Sequence, residues 1–413
     1  MDNYRGILGI FLILGVAFLL SNNRKAINYR TVGVGISLQF LLALFILKTT
    51  IGKDIFAALG RYVTRVIDFS NEGALFVFGP LANNESVAKA FGGGGFIFFF
   101  KIIPTIIFVA VLVNIFYYFG IIQFIVRYLA IGMKFLMGVS GSEALSNISS
   151  AFVGQVEAQI MIKPYLKGMT MSEIMASMAG SYACIAGGVM ATYIQFGVKA
   201  EYLIAASIMA APGALAISKI IYPETEPSET KGKVTLDVKK EFSNIIDAIS
   251  AGCSDGLKVG LNVLAMLVGF LALIALINFS LGKIGGIFAF PTLSLDLLLG
   301  YVFAGFAWCM GVVDTEIVTA GSLMGTKLAA NEFVAYFNLK EMIAAKTLSP
   351  KTIAIVSFAL CGFANFGSLG IQIGGISALE PSIRAKLTKV AVRALIAGTL
   401  ASYMSATFAG LLF

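Results

Sequence analysis

GVSGSEALSNISSAFVGQVEAQIMIKPYL at 138–166 and GVVDTEIVTAGSLMGTKLAANEFVAYFNL at 311–339 are the two stretches whose reading decides the fold. Each is apolar enough to enter a membrane, yet each carries glycines and carboxylates at its middle. A straight lipid-facing helix does not tolerate that pattern. The two stretches also resemble each other. Met137-Gly138-Val139 recurs as Met310-Gly311-Val312, Glu143 as Glu316 and Leu166 as Leu339, all 173 residues downstream. Gly154 and Glu157 meet Gly325 and Glu332 with small slips in register. An internal repeat is expected, with each copy entering the membrane and turning back at a glycine-containing tip.

The surroundings fit that reading. Of 413 residues, 58% are hydrophobic and 13% charged, and the mean hydropathy is +0.90. Soluble domains run at roughly 45–50% apolar and 25% charged, so lipid must solvate much of this chain. Apolar runs at 7–20, 32–47, 96–119, 171–196, 202–222, 256–279, 352–376 and 387–412 give about eight spanning helices, with a shorter helix at 293–310. The first run has no cleavage site before the second and reads as a span rather than a signal peptide. Residues 55–69 have apolar positions at helical spacing between Lys53, Arg61, Arg65 and Asp68, which suits an interfacial helix. A second amphipathic stretch surrounds Arg127 and Lys134. Residues 223–241 form a polar linker with Pro223 and Pro227, and Gly92 to Gly95 form a turn before a span. Three divisions follow: 1–95 with N-terminal spans and an interfacial helix, 96–256 with a span, the first hairpin repeat and the linker, and 257–413 with a span and the second hairpin repeat.

Three spans separate the two repeated units, so the second enters from the opposite face. Inverted repeats whose broken elements meet at mid-membrane are a transporter signature. Arg24, Lys25 and Arg30 place the first connection in the cytoplasm and the N-terminus outside. Lys163, Lys167, Arg384, Lys386 and Lys389 agree with this orientation, whereas Lys340, Lys346 and Lys351 fall on the wrong side for the rule.

At the first tip, Gly154 permits the turn, Gln155 offers donor and acceptor, and Glu157 offers a strong acceptor. Together they suit a nucleobase edge or another planar amide-like ligand; the competing view is a cytoplasmic loop without special role. At the second tip, Glu332 is a carboxylate in an apolar run, functional by default and able to bridge two sugar hydroxyls, unless it simply pairs with Lys327. Phe363-Ala364-Asn365-Phe366-Gly367-Ser368 interrupts the helix that starts at Thr352, with Asn365 and Ser368 three apart on one face. Helix–helix hydrogen bonding is the alternative there.

Several chemistries drop out. There is no histidine, which removes imidazole bases and ligands from every scheme. GVSG at 138–141 looks like an intramembrane serine protease motif, but no histidine base exists for it. Residues 321–327 lack phosphate-loop spacing. The four cysteines, Cys184, Cys253, Cys309 and Cys361, are far apart and read as reduced, buried small hydrophobes. A net charge of +8 is scattered over short loops, as an oriented membrane protein requires, and implies no nucleic acid. No enzyme activity, metal or cofactor is expected.

GQVEA at 154–158, KPYL at 163–166, IAASIMAAPGALAISK at 204–219, NEFVAY at 331–336 and CGFANFGSLGIQIGG at 361–375 resemble the concentrative nucleoside transporter family. The likeness runs in order over nearly the whole chain and matches the shorter bacterial type. It implies an all-α polytopic membrane protein with eight spans, interfacial helices and two inverted re-entrant hairpins, assembled as a homotrimer in the bacterial inner membrane. It further implies an elevator-like movement of the transport half. By the resemblance, Gln155, Val156 and Glu157 contact the base, Glu332, Asn365 and Ser368 the ribose, and Phe363 forms a wall. The family's cation site falls on Ser150, Val153, Cys184 and Ile185. Sodium-driven members carry asparagine where this chain has Ser150, and a hydroxyl where it has Cys184, whose soft sulfur suits Na⁺ poorly. Backbone carbonyls remain available to Na⁺, but proton coupling through Glu157 or Glu332 is favoured. Val156 replaces a family hydroxyl and suggests tolerance of purines. The expected function is cation-driven nucleoside import, with a passive nucleoside channel as the alternative.

Overall fold

The computed structural model describes residues 3–91, 95–230, 242–288, 290 and 292–413. Among them the chain is helical, with no strand. The expected turn at Gly92 to Gly95 and the later half of the polar linker lie largely outside the described residues. The helices are α1 (Asn3–Leu19), α2 (Tyr29–Lys48), α3 (Thr50–Asp68), α4 (Ser70–Phe78), α5 (Asn84–Phe91), α6 (Phe98–Tyr118), α7 (Ile121–Met137), α8 (Gly141–Ser150), α9 (Glu157–Ile160), α10 (Met171–Ala183), α11 (Gly187–Gln195), α12 (Ala200–Ile221), α13 (Ile245–Ile287), α14 (Leu295–Cys309), α15 (Ile317–Ala329), α16 (Glu332–Ala344), α17 (Pro350–Leu360), α18 (Phe366–Leu379) and α19 (Arg384–Leu412). Long apolar helices capable of crossing a membrane include Tyr29–Lys48, Phe98–Tyr118 and Ala200–Ile221.

The repeat inferred from residue spacing is visible in the element order. A long helix (α6 or α13) is followed by a lateral helix (α7 or α14), then a helical hairpin (α8/α9 or α15/α16). A broken helix (α10/α11 or α17/α18) and a long helix (α12 or α19) complete each copy. Gly138 and Gly311, the matched glycines, follow α7 and α14 with φ of +67° and +84°, a conformation that costs other residues about 1–2 kcal/mol. Both lateral helices therefore end the same way.

Helix starts follow local capping. Ser140 with Glu143 opens α8, and Thr170 with Glu173 opens α10, each as a reciprocal capping box. Ser349 caps α17, with Pro350 at its first position. The span expected at 256–279 lies within α13, whose 43 residues extend about 65 Å. Gly252, Gly256 and Gly260 recur every fourth residue and bring α13 against Val111, Ile107 and Ile103 of α6, so a side chain at the first two would meet α6 backbone. Outside that stripe α13 is largely exposed, with Leu261, Val268, Leu276 and Phe279 facing outward. For this reason Cys253, one residue off the stripe, is exposed, contrary to expectation, while Cys184 and Cys361 are buried.

The buried centre is built from α8, α10, α12, α15, α17 and α19, with α10 and α17 packed on α19 and α12. Lys340 does not act as a free topology signal. Its Nζ lies 3.5 Å from the Phe96 ring centroid, with Phe196 and Phe337 also within reach.

Candidate functional site

The two broken helices cross at their breaks. α10 stops at Cys184 and α17 at Cys361. Gly362 has φ of +135°, and a Cβ there would lie 2.5 Å from the Tyr182 carbonyl oxygen, so only glycine permits the crossing. The next residue, Phe363, donates its N–H to the Cys184 carbonyl at 3.2 Å. Each half-helix thus exposes capping groups near the molecule's centre, as polar backbone at membrane depth requires.

Glu332 is the principal charged group at this crossing. It starts α16, is 5% exposed, and is held at both oxygens. Asn365 Nδ2 donates to Oε2 at 2.8 Å, and the Tyr193 hydroxyl donates to Oε1 at 3.3 Å. Asn365 does two things, since its Oδ1 also accepts the Ser368 N–H at 2.9 Å and so caps α18. The structure therefore unites Glu332, Asn365 and Ser368, and the half-buried Phe363 stands beside them on the break. The ion pair with Lys327 weighed in the sequence is not formed. Lys327 Nζ donates instead to the Ala359 carbonyl at 2.9 Å.

The first hairpin tip approaches from the other side. Val156 packs against Gly375 of α18, where an added Cβ would sit 2.7 Å from Val156 Cγ2. The Glu157 carboxylate folds back over Gly154. Gly154 is not in the left-handed region, and a side chain there would meet only that flexible carboxylate, so the turn at the tip does not itself require glycine. Gln155 Oε1 is buried without a hydrogen-bond partner, an arrangement that leaves an acceptor for a ligand. Glu157 is exposed, whereas the sequence suggested burial; it starts α9 at the open side of the tip.

Of the candidate cation residues, Ser150 is brought beside the α10 break through Ser181, 3.0 Å away, and donates to the Ser146 carbonyl at 2.9 Å. Cys184 and Ile185 form the break and are fully buried. The Cys184 thiol rests on the Ser207 carbonyl of α12 at 3.8 Å, and its own carbonyl already accepts from Phe363. Val153 closes the α8 end through the Ser149 carbonyl. Hydroxyls in this region are largely committed to protein partners.

Hairpin and broken helix are joined by a ladder that sequence reasoning missed. Ser142–Glu173, Ser146–Ser177 and Ser150–Ser181 form three rungs between α8 and α10, at 3.4, 2.6 and 3.0 Å. Gln159 bridges the upper two, accepting from Ser177 and donating to Ser146 and Ser181. Each helix contributes every fourth residue, the signal by which the ladder was detectable. At its base, Lys219 of α12 pairs with Glu143 and donates to Ser172 at 2.7 Å, and Glu224 accepts from Thr170 at 2.7 Å. Burial pushes the Glu224 carboxyl up against the opposing pull of Lys219. Tyr193 was also missed; its ring stacks on Tyr336 at 4.0 Å, and nothing in its local sequence marks it as a partner of a residue 139 positions away.

Comparison with known proteins places this architecture. The chain matches the descriptions "Na+ dependent nucleoside transporter N-terminus" over residues 8–81, "Nucleoside recognition" (Gate) over 99–200 and "Na+ dependent nucleoside transporter C-terminus" over 202–410. It is 43% identical to an uncharacterized transporter of Haemophilus influenzae, covering 100% of this chain and 98% of that one. It is 40% identical to the putative nucleoside permease NupX of Escherichia coli, covering 99% of each. Among solved structures it is similar to CNTnw in an inward-facing substrate-bound state, with a TM-score of 0.95, 40% identity and coverage of 100% of this chain and 98% of that one. It is also similar to a variant of CNTnw in an outward-facing state, with a TM-score of 0.94 at 40% identity and the same coverage.

Proposed function

The chain belongs to the Na⁺ dependent nucleoside transporter family, and we propose that it is a symporter importing nucleosides across a bacterial inner membrane, driven by protons in preference to Na⁺. The observation that carries this reading is Glu332, a buried carboxylate held by Asn365 and Tyr193 at the meeting point of two broken helices. A carboxylate at that depth has a cost that a purely structural role does not explain.

In this reading the nucleoside lies between the hairpin tips. Gln155 and Glu157 bond the base edge, with the unpartnered Gln155 Oε1 accepting from an exocyclic or ring N–H. Val156 adds apolar contact in place of a hydroxyl. Glu332 accepts from the ribose hydroxyls, Asn365 orients it, the Ser368 hydroxyl completes the sugar contacts, and Phe363 walls the pocket. Such a site rejects a sugar lacking its hydroxyls, because buried acceptors are then left unmatched.

Proton coupling is supported by the donor set. Ser150 offers a hydroxyl in place of a side-chain amide oxygen, and Cys184 a soft sulfur that suits Na⁺ poorly, so the side-chain oxygens at this break are fewer than a sodium site of the family would supply. Of the two candidate proton acceptors, the exposed Glu157 is reachable from water and Glu332 is not. The hairpins and broken helices then form an oppositely oriented pair that moves as an elevator against α6 and α13, with the long exposed face of α13 available to a homotrimeric scaffold. The inward- and outward-facing states of CNTnw support alternating access of this kind. A division of the chain at 1–95, 96–256 and 257–413 is part of this reading, although the second boundary falls inside α13 (Ile245–Ile287) rather than at its start.

Uptake of radiolabelled uridine and guanosine into proteoliposomes, under an inward pH gradient or an inward Na⁺ gradient, tests the reading. Accumulation driven by pH alone is expected. Accumulation requiring Na⁺ overturns the choice of ion, and equilibration without accumulation under either gradient makes the protein a passive channel.

A further inference from the structure

A half that slides against α6 must break the contacts it makes there, and the start of α6 makes three of a specific kind. Thr105, on the second turn of α6, accepts a hydrogen bond from Gln195 Nε2 at the end of α11 at 2.6 Å. Phe96, just before α6, lies under the Lys340 ammonium of α16, 3.5 Å from its ring centroid. Phe98, the first residue of α6, meets the Phe333 ring of α16 edge to face at 5.6 Å. One short segment thus grips α11 and α16 together, by a polar bond, a cation–π contact and an aromatic pair.

Both sides of the grip are firm. On the α6 side, Thr105 is bonded to Ser70 of α4 at 2.9 Å, and Lys101 donates to Asn71 of α4 at 2.7 Å. On the other side, Tyr193 of α11 stacks on Tyr336 of α16 and holds Glu332 by its hydroxyl. Phe333 follows Glu332 in the chain and packs 5.6 Å from the Tyr193 ring. The segment therefore grips the two helices that carry Glu332 and its tyrosine partner. It is also built to release. Gln195 Oε1 is buried without a hydrogen-bond partner, a cost of holding this arrangement. Lys340 keeps a second partner on its own helix, Glu341, 3.7 Å away.

We propose that the start of α6 is a latch, which grips the moving half at one end of its stroke through Phe96, Phe98 and Thr105 and releases it in every cycle. This rests on the elevator reading above. A contact that only stabilises the fold persists through the cycle, whereas a latch must break for the nucleoside to cross.

The test is a reversible cross-link in the full-length protein, with Cys253→Ser and Cys309→Ser and with the buried Cys184 and Cys361 kept. Phe96→Cys with Lys340→Cys, and separately Phe98→Cys with Phe333→Cys, are joined by a short bis-methanethiosulfonate. Uridine uptake into proteoliposomes is expected to be lost on cross-linking and to return when dithiothreitol cleaves the link. Calorimetric uridine binding persists throughout, which a damaged fold does not give. Phe196→Cys with Phe337→Cys is the control, since those rings lie 5.9 Å apart within the moving half, and linking them leaves uptake unchanged. Uptake that continues with either pair fully cross-linked, failure of both pairs to assemble or to cross-link, or an equal block by the control link overturns the proposal. If wild type neither binds nor takes up uridine, the nucleoside reading fails instead.

Discussion

Gly375→Ala tests the meeting of the first hairpin tip with α18. The new Cβ would lie 2.7 Å from Val156 Cγ2 and 2.9 Å from Cγ1, where ordinary contact begins at 3.4 Å. The tip must therefore retreat by about 0.7 Å, because the β-branched Val156 has little rotamer freedom with which to evade. Gln155 and Glu157 flank Val156 and move with it. A misplacement of about 1 Å at a positioning contact can reduce turnover as much as 10²-fold, so we expect uridine uptake in Gly375→Ala to fall by about 10- to 100-fold. Gly374→Ala is the control, since a Cβ there meets nothing within 4 Å; as an alanine in a helix it should be neutral or stabilise by about 0.5–1 kcal/mol. Val156→Ala in the Gly375→Ala background removes the colliding methyls and should restore much of the uptake, the non-additivity expected of residues in contact. Proteoliposome uptake of the four proteins measures this directly. Wild-type rates in Gly375→Ala, or a double variant no better than the single, would refute the contact as the element that sets the tip.

Tyr193→Phe keeps the stack on Tyr336 but removes one hydrogen bond to Glu332, and uridine affinity should fall severalfold, for a loss of about 1 kcal/mol, as read by calorimetry. Asn365→Asp retains a helix cap but places a second carboxylate against Glu332 at the position of the 2.8 Å bond; nucleoside binding should be lost at neutral pH, and retained binding would contradict the geometry. Lys219→Met leaves Glu143 buried without its cation and should destabilise by about 3–5 kcal/mol, whereas Lys219→Met with Glu143→Gln recovers part of this in a thermal-unfolding assay. Burial raises the Glu224 carboxyl, so its contribution to stability is present below the ordinary carboxylate range and is lost as pH rises through the raised value. As pH rises upward from the ordinary carboxylate range, the melting temperature of wild type should therefore decline relative to Glu224→Gln, and parallel curves would remove Glu224 from the account.

The sequence carried the architecture because membrane helices announce themselves by length and hydropathy, and because the two hairpins share residues at one fixed separation. Gly138 and Gly311 were legible as matched positions of a repeat, and both adopt the left-handed backbone that glycine favours. Asn365 and Ser368 were legible as neighbours since helical spacing alone puts them together. Partners distant in the chain were not. Tyr193 reaches Glu332 only after two broken helices cross, and Lys327 prefers a helix-end carbonyl to the nearer-looking carboxylate. Lys340 read as a misplaced topology signal because its aromatic cage comes from three separate segments. Cys253 read as buried since its surroundings are apolar, although one step around α13 from the glycine stripe is already outside.

The most direct test of the central claim, that the hairpin tips and broken helices together hold the nucleoside, is calorimetric uridine binding to purified wild type and Glu332→Ala, with assembly followed by size exclusion. The account predicts binding in wild type and its loss in the variant with an unchanged elution profile. Wild-type-like binding by Glu332→Ala would contradict it.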